Sequence, residues 1–264
     1  MTTIPFVKYH GTGNDFILID QREVDYQLTS PQVAALCDRH RGIGADGLML
    51  LERCPDFDFN MVYYNSDGQE SSMCGNGGRC ISAYAKQLGM VDKEAHFLAI
   101  DGPHVSRFLD NGWIELEMKN VTQIHEAETY AELDTGSPHY VHFTEDVRDW
   151  DMKKEGALIR YSPKYKEEGI NVNFVEIIDP QTIFVRTYER GVEDETLSCG
   201  TGVTAAALVM MKRDKNLTEV AVRTLGGNLQ VSAERTEYGF TMVRLIGPAT
   251  YVFQGSIALE SLTP

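Results

Sequence analysis

Two cysteines stand in matching surroundings. Cys74-Gly75-Asn76-Gly77 and Cys199-Gly200-Thr201-Gly202 both read C-G-x-G, with the cysteines 125 positions apart (74 to 199). Each leads into an apolar stretch of helical pattern, Arg79–Leu88 and Val203–Arg213, so each cysteine is expected just before a glycine-flanked helix start. The first turn of a helix has N–H groups without intrahelical partners, and together with the helix dipole they favour an anion. A thiol placed there ionises more easily, its pKa falling to about 4–7, and a carboxylate is readily held. Two such helix ends facing each other would bind one carboxylate from both sides and put one sulfur on each face of the adjacent carbon. Stereoinversion at an α-carbon needs that arrangement, because one base removes the proton and a conjugate acid returns one to the opposite face. The Cα–H is a very weak acid, so helix-terminal N–H groups must also stabilise carbanion-like charge where water is excluded. Neither cysteine has to bond covalently to the substrate.

The remaining thiols, Cys37, Cys54 and Cys80, lack this context. Cys37 and Cys80 fall on apolar helical faces, and all three are assigned to packing. Five cysteines with no C-x-x-C pair argue against a disulfide framework and against a zinc site of the usual spacing.

The elements that must position the two cysteines also repeat. Thr12-Gly13 in the first half answers Thr135-Gly136 in the second, 123 positions on, close to the cysteine offset. Apolar strand-like runs follow in both halves, Phe16–Ile19 and Leu48–Leu51, then Tyr140–Phe143 and Val172–Ile178. A further strand in each, Phe59–Tyr64 and Ile183–Tyr188, leads through a polar loop to the C-G-x-G element. Later strands are expected at Trp113–Met118 and Phe240–Leu245. The second cysteine's helix is rich in Ala and Met, as suits a helix buried on most sides. The expectation is an α+β fold of two pseudo-symmetric domains, each a curved mixed or antiparallel sheet around a central helix. Residues 1–120 form the first, with about 253–264 packing against it, and 121–252 the second. One more helix is marked by Ser30 as N-cap and Pro31 in the first turn, opening Gln32–Arg39.

The chain has 264 residues, 42% hydrophobic and 24% charged, a globular profile. Its net charge of −15 speaks against nucleic acid or an anionic membrane as a general partner. No apolar run reaches membrane-spanning length, and Met1–Pro5 lacks the features of a secretion signal, so a cytoplasmic location is expected. Gly42-Ile43-Gly44-Ala45-Asp46-Gly47 spells GxGxxG. The dinucleotide fingerprint needs a strand before and a helix after, whereas here a helix precedes and a strand follows.

With these segments in view, the whole chain resembles the diaminopimelate epimerases. The resemblance is carried by His10-Gly11-Thr12-Gly13-Asn14-Asp15-Phe16, Arg41-Gly42-Ile43-Gly44-Ala45-Asp46-Gly47, Tyr64-Asn65-Ser66-Asp67-Gly68, Met73-Cys74-Gly75-Asn76-Gly77-Gly78-Arg79 and Tyr188-Glu189-Arg190-Gly191 followed by Cys199-Gly200-Thr201-Gly202. It implies interconversion of LL- and meso-diaminopimelate, in lysine and peptidoglycan precursor synthesis, without pyridoxal phosphate, metal or nucleotide. It implies a site in the cleft between two domains, with Cys74 and Cys199 as the acid/base pair and His139 and Glu189 as polar groups at the reacting centre. Asn14, Asn65, Asn171 and Arg190 would hold the distal amino-acid head, and Gly75, Asn76, Gly200 and Thr201 the reacting end. The chemistry of these residue types suits such roles. A buried guanidinium, Arg190, matches a carboxylate through two N–H groups, and asparagine offers the donor and acceptor that a zwitterionic head requires. Three departures stand out: Ser137 where many relatives have asparagine, Gly47 where some have glutamine, and a loop at Gly191–Thr196 one residue longer than in some relatives. The expected partner is the small-molecule substrate alone, with no nucleic acid and no membrane, and a homodimer is left open. The nearest alternative is a same-fold isomerase acting on proline, hydroxyproline or another small acid. A thiol switch using the same cysteines, or a non-enzymatic binding module, belongs to a different class. Exchange of the substrate Cα hydrogen with solvent separates these readings.

Overall fold

The computed structural model describes residues 3–71 and 73–258. The chain runs through β1 (Thr3–Gly11), β2 (Asn14–Asp20), α1 (Ser30–Cys37), β3 (Gly47–Glu52), β4 (Phe59–Asn65), β5 (Glu70–Ser71), α2 (Gly75–Gln87), β6 (Glu94–Ala99), β7 (Gly102–Phe108) and β8 (Ile114–Glu117). It continues with β9 (Ile124–Glu126), β10 (Tyr130–Asp134), β11 (Pro138–Phe143), a 3-10 turn at Val147–Asp149, α3 (Met152–Arg160), β12 (Asn171–Asp179), β13 (Thr182–Glu189) and β14 (Asp194–Thr196). Then come α4 (Gly200–Arg213), β15 (Glu219–Thr224), β16 (Gly227–Arg235), β17 (Phe240–Gly247) and β18 (Thr250–Ala258). Two compact units divide at Leu116/Glu117 and at Gly247/Pro248, so β18 belongs with the first.

The two units repeat one pairing scheme. In the first unit the order is β18-β1-β2-β3-β4-β6-β7-β8, with β2/β3 and β4/β6 parallel and the other neighbours antiparallel. In the second it is β9-β10-β11-β12-β13-β15-β16-β17, with β11/β12 and β13/β15 parallel and the rest antiparallel. Short β5 adds to β4 as β14 adds to β13. One difference is the source of the first strand: β9 precedes β10 in the chain, whereas β18 reaches β1 from the other end of the sequence.

Each unit has a central helix. In α4 every residue from Gly200 to Met211 except Thr201 is buried, and it packs on β11, β12, β13, β15 and β16. Nearly all of α2 from Gly75 to Ala85 is buried as well, against β1, β2, β3 and β7. Small Ala and Gly side chains allow this close approach, and the buried Val, Leu and Met of α4 each contribute about 1.5–3 kcal/mol. Helix α1 begins one residue earlier than expected. Thr29, not Ser30, is its N-cap, and the Thr29 backbone N–H and hydroxyl both reach Gln32 Oε1 at 2.9 Å, a reciprocal cap that Ser30 is not placed to make. α1 precedes and β3 follows the Gly42–Gly47 loop, the reverse of a dinucleotide fingerprint. Among the described residues, no helix is long and apolar enough to cross a membrane.

Candidate active site

Cys74 is the N-cap of α2 and Cys199 the N-cap of α4, both in extended conformation (φ −96°, ψ 129° and φ −108°, ψ 111°). Each gives its carbonyl to the helix: Gly78 N–H donates to Cys74 O (2.7 Å) and Val203 N–H to Cys199 O (2.9 Å). Neither cysteine side chain caps its own helix, and neither first turn has an acidic residue. The positive helix end is therefore not neutralised by the first turn itself. The other buried thiols differ. Burial pushes Cys37 up to about 12 and Cys80 far above its ordinary value, so both stay protonated.

The second glycine of each C-G-x-G element has a packing role. A Cβ at Gly77 would overlap Met49 Cε on β3, and one at Gly202 would overlap Asn173 Oδ1 on β12. β3 and β12 hold equivalent places in the two units, so the repeated glycine records the same close approach of helix start to sheet.

Around Cys74, Asn14 Oδ1 accepts from Cys74 Sγ (3.6 Å) and from Asn76 Nδ2 (3.4 Å). Asn14 Nδ2 donates to Asp46 Oδ2 at 2.8 Å, and this contact with an obligate acceptor orients the amide. Asp46 belongs to an ionic cluster. Arg39 bridges Asp15 (3.0 and 2.7 Å) and Asp46 (2.7 Å), and Lys8 pairs with Asp15 at 2.8 Å. Burial alone would raise the Asp15 carboxyl, but Arg39 and Lys8 outweigh it and hold it at about 2. Sheet register puts Asn14 opposite Gly11, Phe16 opposite Gly47 and Gly47 opposite Asn65, so Asn14 and Asn65 lie at one end of the sheet. A side chain at Gly47 would collide with the Tyr63 ring and Tyr64 O, so Tyr63 fills the space a glutamine would need.

The second unit has the corresponding arrangement. Parallel register sets His139 beside Asn171, and antiparallel register sets Val172 beside Tyr188, one residue before Glu189. Cys199 is 7% exposed, with Sγ 3.4 Å from Thr201 Oγ1, while Thr135 Oγ1 donates to Thr201 O at 2.8 Å. Gly75, Asn76 and Gly200 are buried in the first turns, and Thr201 is half-buried. Glu189 Oε2 accepts from Thr196 Oγ1 at 3.0 Å. Asn171 Oδ1 accepts from Arg190 N–H (2.9 Å), and Asn171 Nδ2 donates to Ser137 Oγ (2.8 Å) and Pro138 O (3.1 Å). Ser137 thus joins the asparagine–arginine group despite its shorter side chain, and Arg190 Nη2 approaches its Oγ at 3.4 Å.

Arg190 is exposed, which corrects the expectation of a buried guanidinium. Its Nη1 donates to Glu168 O at 2.9 Å, and Gly169 (φ +76°) leaves room for its stem. Among the described residues no carboxylate pairs with it, and burying an unpaired guanidinium would be costly. His139 is fully buried, and burial lowers it to about 3, so it is neutral at working pH. Asn173 Nδ2 lies 3.1 Å from His139 Nδ1. A cavity of about 500 Å³ in this unit is lined by His139, Pro138, Arg190, Lys119 and Lys164 but not by Cys199. Arg79, Asp46, Asn173 and Thr187 support these groups. Arg79 and Asp46 lie within the Met73–Arg79 and Arg41–Gly47 segments but are assigned no role by the resemblance, and Asn173 and Thr187 lie outside the segments that carry it. For Asn173 and Thr187 the sequence signal is a polar residue inside a buried strand.

The fold is shared with a PhzF-family phenazine biosynthesis protein from Bacillus anthracis (TM-score 0.79, 14% identity, covering 98% of this chain and 100% of that one). It is shared also with a hydroxyproline epimerase from Agrobacterium vitis (TM-score 0.70, 13% identity, 97% and 93% covered). The class defined is thus a duplicated α+β architecture, here with a cysteine capping each central helix. The family described as diaminopimelate epimerase matches residues 6–124 and 132–252. A diaminopimelate epimerase of Flavobacterium psychrophilum is 49% identical over 252 residues (95% of this chain, 98% of that one), and one of Chlorobaculum tepidum is 39% identical over 259 residues (94% and 99%). The chain belongs to the diaminopimelate epimerase family, whose members are isomerases.

Proposed function

We propose that this chain interconverts LL- and meso-diaminopimelate by a two-base mechanism, as a step toward lysine and peptidoglycan precursors. The observation that carries the reading is the equivalent placement of Cys74 and Cys199, each the N-cap of the buried central helix of one repeated unit. One cysteine, as thiolate, takes the Cα proton. The other, as thiol, gives its proton to the opposite face, and the pair ends with its charges exchanged. First-turn N–H groups of α2 and α4, from Gly75, Asn76, Gly200 and Thr201, hold the α-carboxylate as negative charge develops on it. His139 is neutral and buried, so it donates a hydrogen bond without competing for the Cα proton, and Glu189 suits the α-ammonium. Arg190, with Asn14, Asn65 and Asn171, receives the distal head, whose carboxylate matches the guanidinium fork.

Incubation of each diaminopimelate isomer with the enzyme in D2O tests this. The α-hydrogen should exchange as the other isomer appears. Cys74→Ala and Cys199→Ala should each abolish net inversion in a folded protein. Full activity in either variant excludes the cysteine pair, and exchange on proline or hydroxyproline in place of diaminopimelate would assign a different substrate.

A further inference from the structure

Arg190 lies in a turn closed by Glu193, whose N–H donates to Glu189 O at 2.8 Å. Glu193 stands at φ +57°, in the left-handed region. A residue other than glycine keeps that conformation only where its surroundings fix it. Here the carboxylate is the fixing group. Its Oε1 accepts from Gly191 N–H and from Arg160 Nε, both at 3.2 Å, and its Oε2 accepts from the hydroxyls of Tyr161 (3.0 Å) and Tyr188 (3.2 Å). Burial alone would raise this carboxyl, but the Gly191 N–H, Tyr161, Arg160 and Tyr188 outweigh it and hold it below its ordinary value, so it is an anion at neutral pH.

Arg160 is the last residue of α3 and Tyr161 is its C-cap. The helix lies close on β13 because residue 156 is glycine: a Cβ there would come 2.3 Å from Tyr188 Cβ. From this position Arg160 reaches two segments at once. Its Nε meets Glu193, and its Nη1 donates to Tyr165 O (3.3 Å) and Lys166 O (3.2 Å). Tyr165 O also accepts from Gly169 N–H at 2.7 Å, which closes the turn carrying Glu168. Glu168 O in turn accepts from Arg190 Nη1 at 2.9 Å. Arg160 thus ties the turn that carries the Arg190 backbone to the turn that receives its guanidinium. The two arginines come together at Gly169, where an added Cβ would lie 2.5 Å from Arg190 Cδ and 2.9 Å from Arg160 Cζ. Like charges so placed repel, and Glu193 neutralises Arg160.

We propose that Arg160 and Glu193 are positioning residues for the distal head of the substrate, an ion-paired clamp that fixes Arg190 from behind. The inference rests on the reading that Arg190 receives the distal carboxylate, and deepens it by assigning the residues that aim the guanidinium. Arg190, Glu168 and Gly169 line the cavity of about 500 Å³, whereas Arg160 and Glu193 do not. The clamp therefore acts through Arg190 rather than on the substrate. Arg190 is exposed, and a long exposed side chain loses rotamer freedom when it grips a ligand. Holding its stem and head in advance reduces that loss. The pair can do this because it is shielded: the Arg160 side chain is 13% exposed and that of Glu193 31%, so solvent screens it less than a surface pair.

The test is steady-state epimerisation of diaminopimelate by single and double variants, each first checked for a native circular-dichroism spectrum. Arg160→Gln and Glu193→Gln should each lower kcat/KM roughly tenfold, mostly through KM, with kcat changed less. In the Arg190→Ala background Arg160→Gln should have less than about a twofold further effect on kcat/KM, because the guanidinium it aims is gone. A merely structural role would give the same loss in both backgrounds. Tyr161→Phe removes one hydroxyl from Glu193 Oε2 at an exposed site. It should show the same pattern at about threefold, and it decides the matter if a Gln variant does not fold. Parental KM in the folded variants overturns the proposal, as does a loss that is undiminished in Arg190→Ala. Arg190→Ala with parental KM would instead overturn the reading of Arg190 itself, and the clamp would fall with it.

Discussion

Asn173 Nδ2 donates to His139 Nδ1 at 3.1 Å and thereby assigns the imidazole proton. The amide cannot be turned round, because Nδ2 also donates to Tyr140 O at 2.9 Å while Oδ1 accepts from Thr187 Oγ1 at 2.9 Å. Nδ1 is then the acceptor and Nε2 bears the hydrogen, buried and with no hydrogen-bond partner among the described residues. Such a donor is available to substrate. Asn173→Asp would present an acceptor to Nδ1 and draw the proton there. Nitrogen NMR of labelled histidine should show Nε2–H in the parent and Nδ1–H in the variant, with turnover reduced at least about tenfold. An Nδ1–H parent would refute the assignment.

His139 also marks stability against pH. Its folded pKa lies near 3, below the ordinary value of 6.5, because burial disfavours the cation. The unfolded chain therefore binds one more proton between those limits. Stability from this residue is full above about pH 6.5 and falls as pH drops toward 3, by about 1.4 kcal/mol per unit. Urea titrations of the parent between pH 6 and 4 should give a steeper decline, by that amount, than His139→Gln. Equal slopes would mean that the imidazole is not desolvated.

What the sequence revealed divides along physical lines. Cys74, Cys199 and their helices were legible because glycine-rich helix starts are local and the apolar pattern after them is strong. The role of Asn173 was not, and Arg79 was visible only as the last residue of the Met73–Arg79 segment, since each acts through partners fixed by sheet register or by the far end of the chain, as in Arg79 with Pro248. α3 escaped notice because Gly156 interrupts it. That glycine is required where the helix crosses the Tyr188 side chain. Strand β18 has almost every residue exposed, so it has no alternation to betray it.

Asp46 should matter although it is expected to touch no substrate. It accepts from Asn14 Nδ2 at 2.8 Å and from Asp15 N–H at 3.2 Å, and Arg39 anchors it from behind. Asp46→Asn can rotate to donate, which would free the Asn14 amide to flip and remove the acceptor facing Cys74. If Asn14 grips the distal head, KM for diaminopimelate should rise roughly tenfold, equivalent to about 1.4 kcal/mol, with kcat changed less. An unaltered KM would place Asn14 outside substrate binding.

The two C-G-x-G glycines invite a paired comparison, because an added methyl meets neighbours of different kinds. At Gly77 it meets Met49 Cε, the free end of a flexible side chain, with Phe16 Cζ next at 3.6 Å. Methionine can swing aside, and alanine recovers some helix propensity over glycine. At Gly202 it meets Asn173 Oδ1, held by Thr187, with Thr187 Oγ1 itself 3.3 Å away. Neither group can move without leaving a buried polar atom unpaired, which costs about 1–3 kcal/mol, and moving Asn173 also disturbs His139. Gly77→Ala should therefore lose at most about 1 kcal/mol in chemical denaturation, whereas Gly202→Ala should lose about 2–3 kcal/mol and most of its activity. The double variant Gly202→Ala/Asn173→Ala removes the obstructing amide and should recover part of the stability but not the turnover. Equal losses at Gly77 and Gly202, or full activity in Gly202→Ala, would show that the first turn of α4 is not locked to β12 through Asn173.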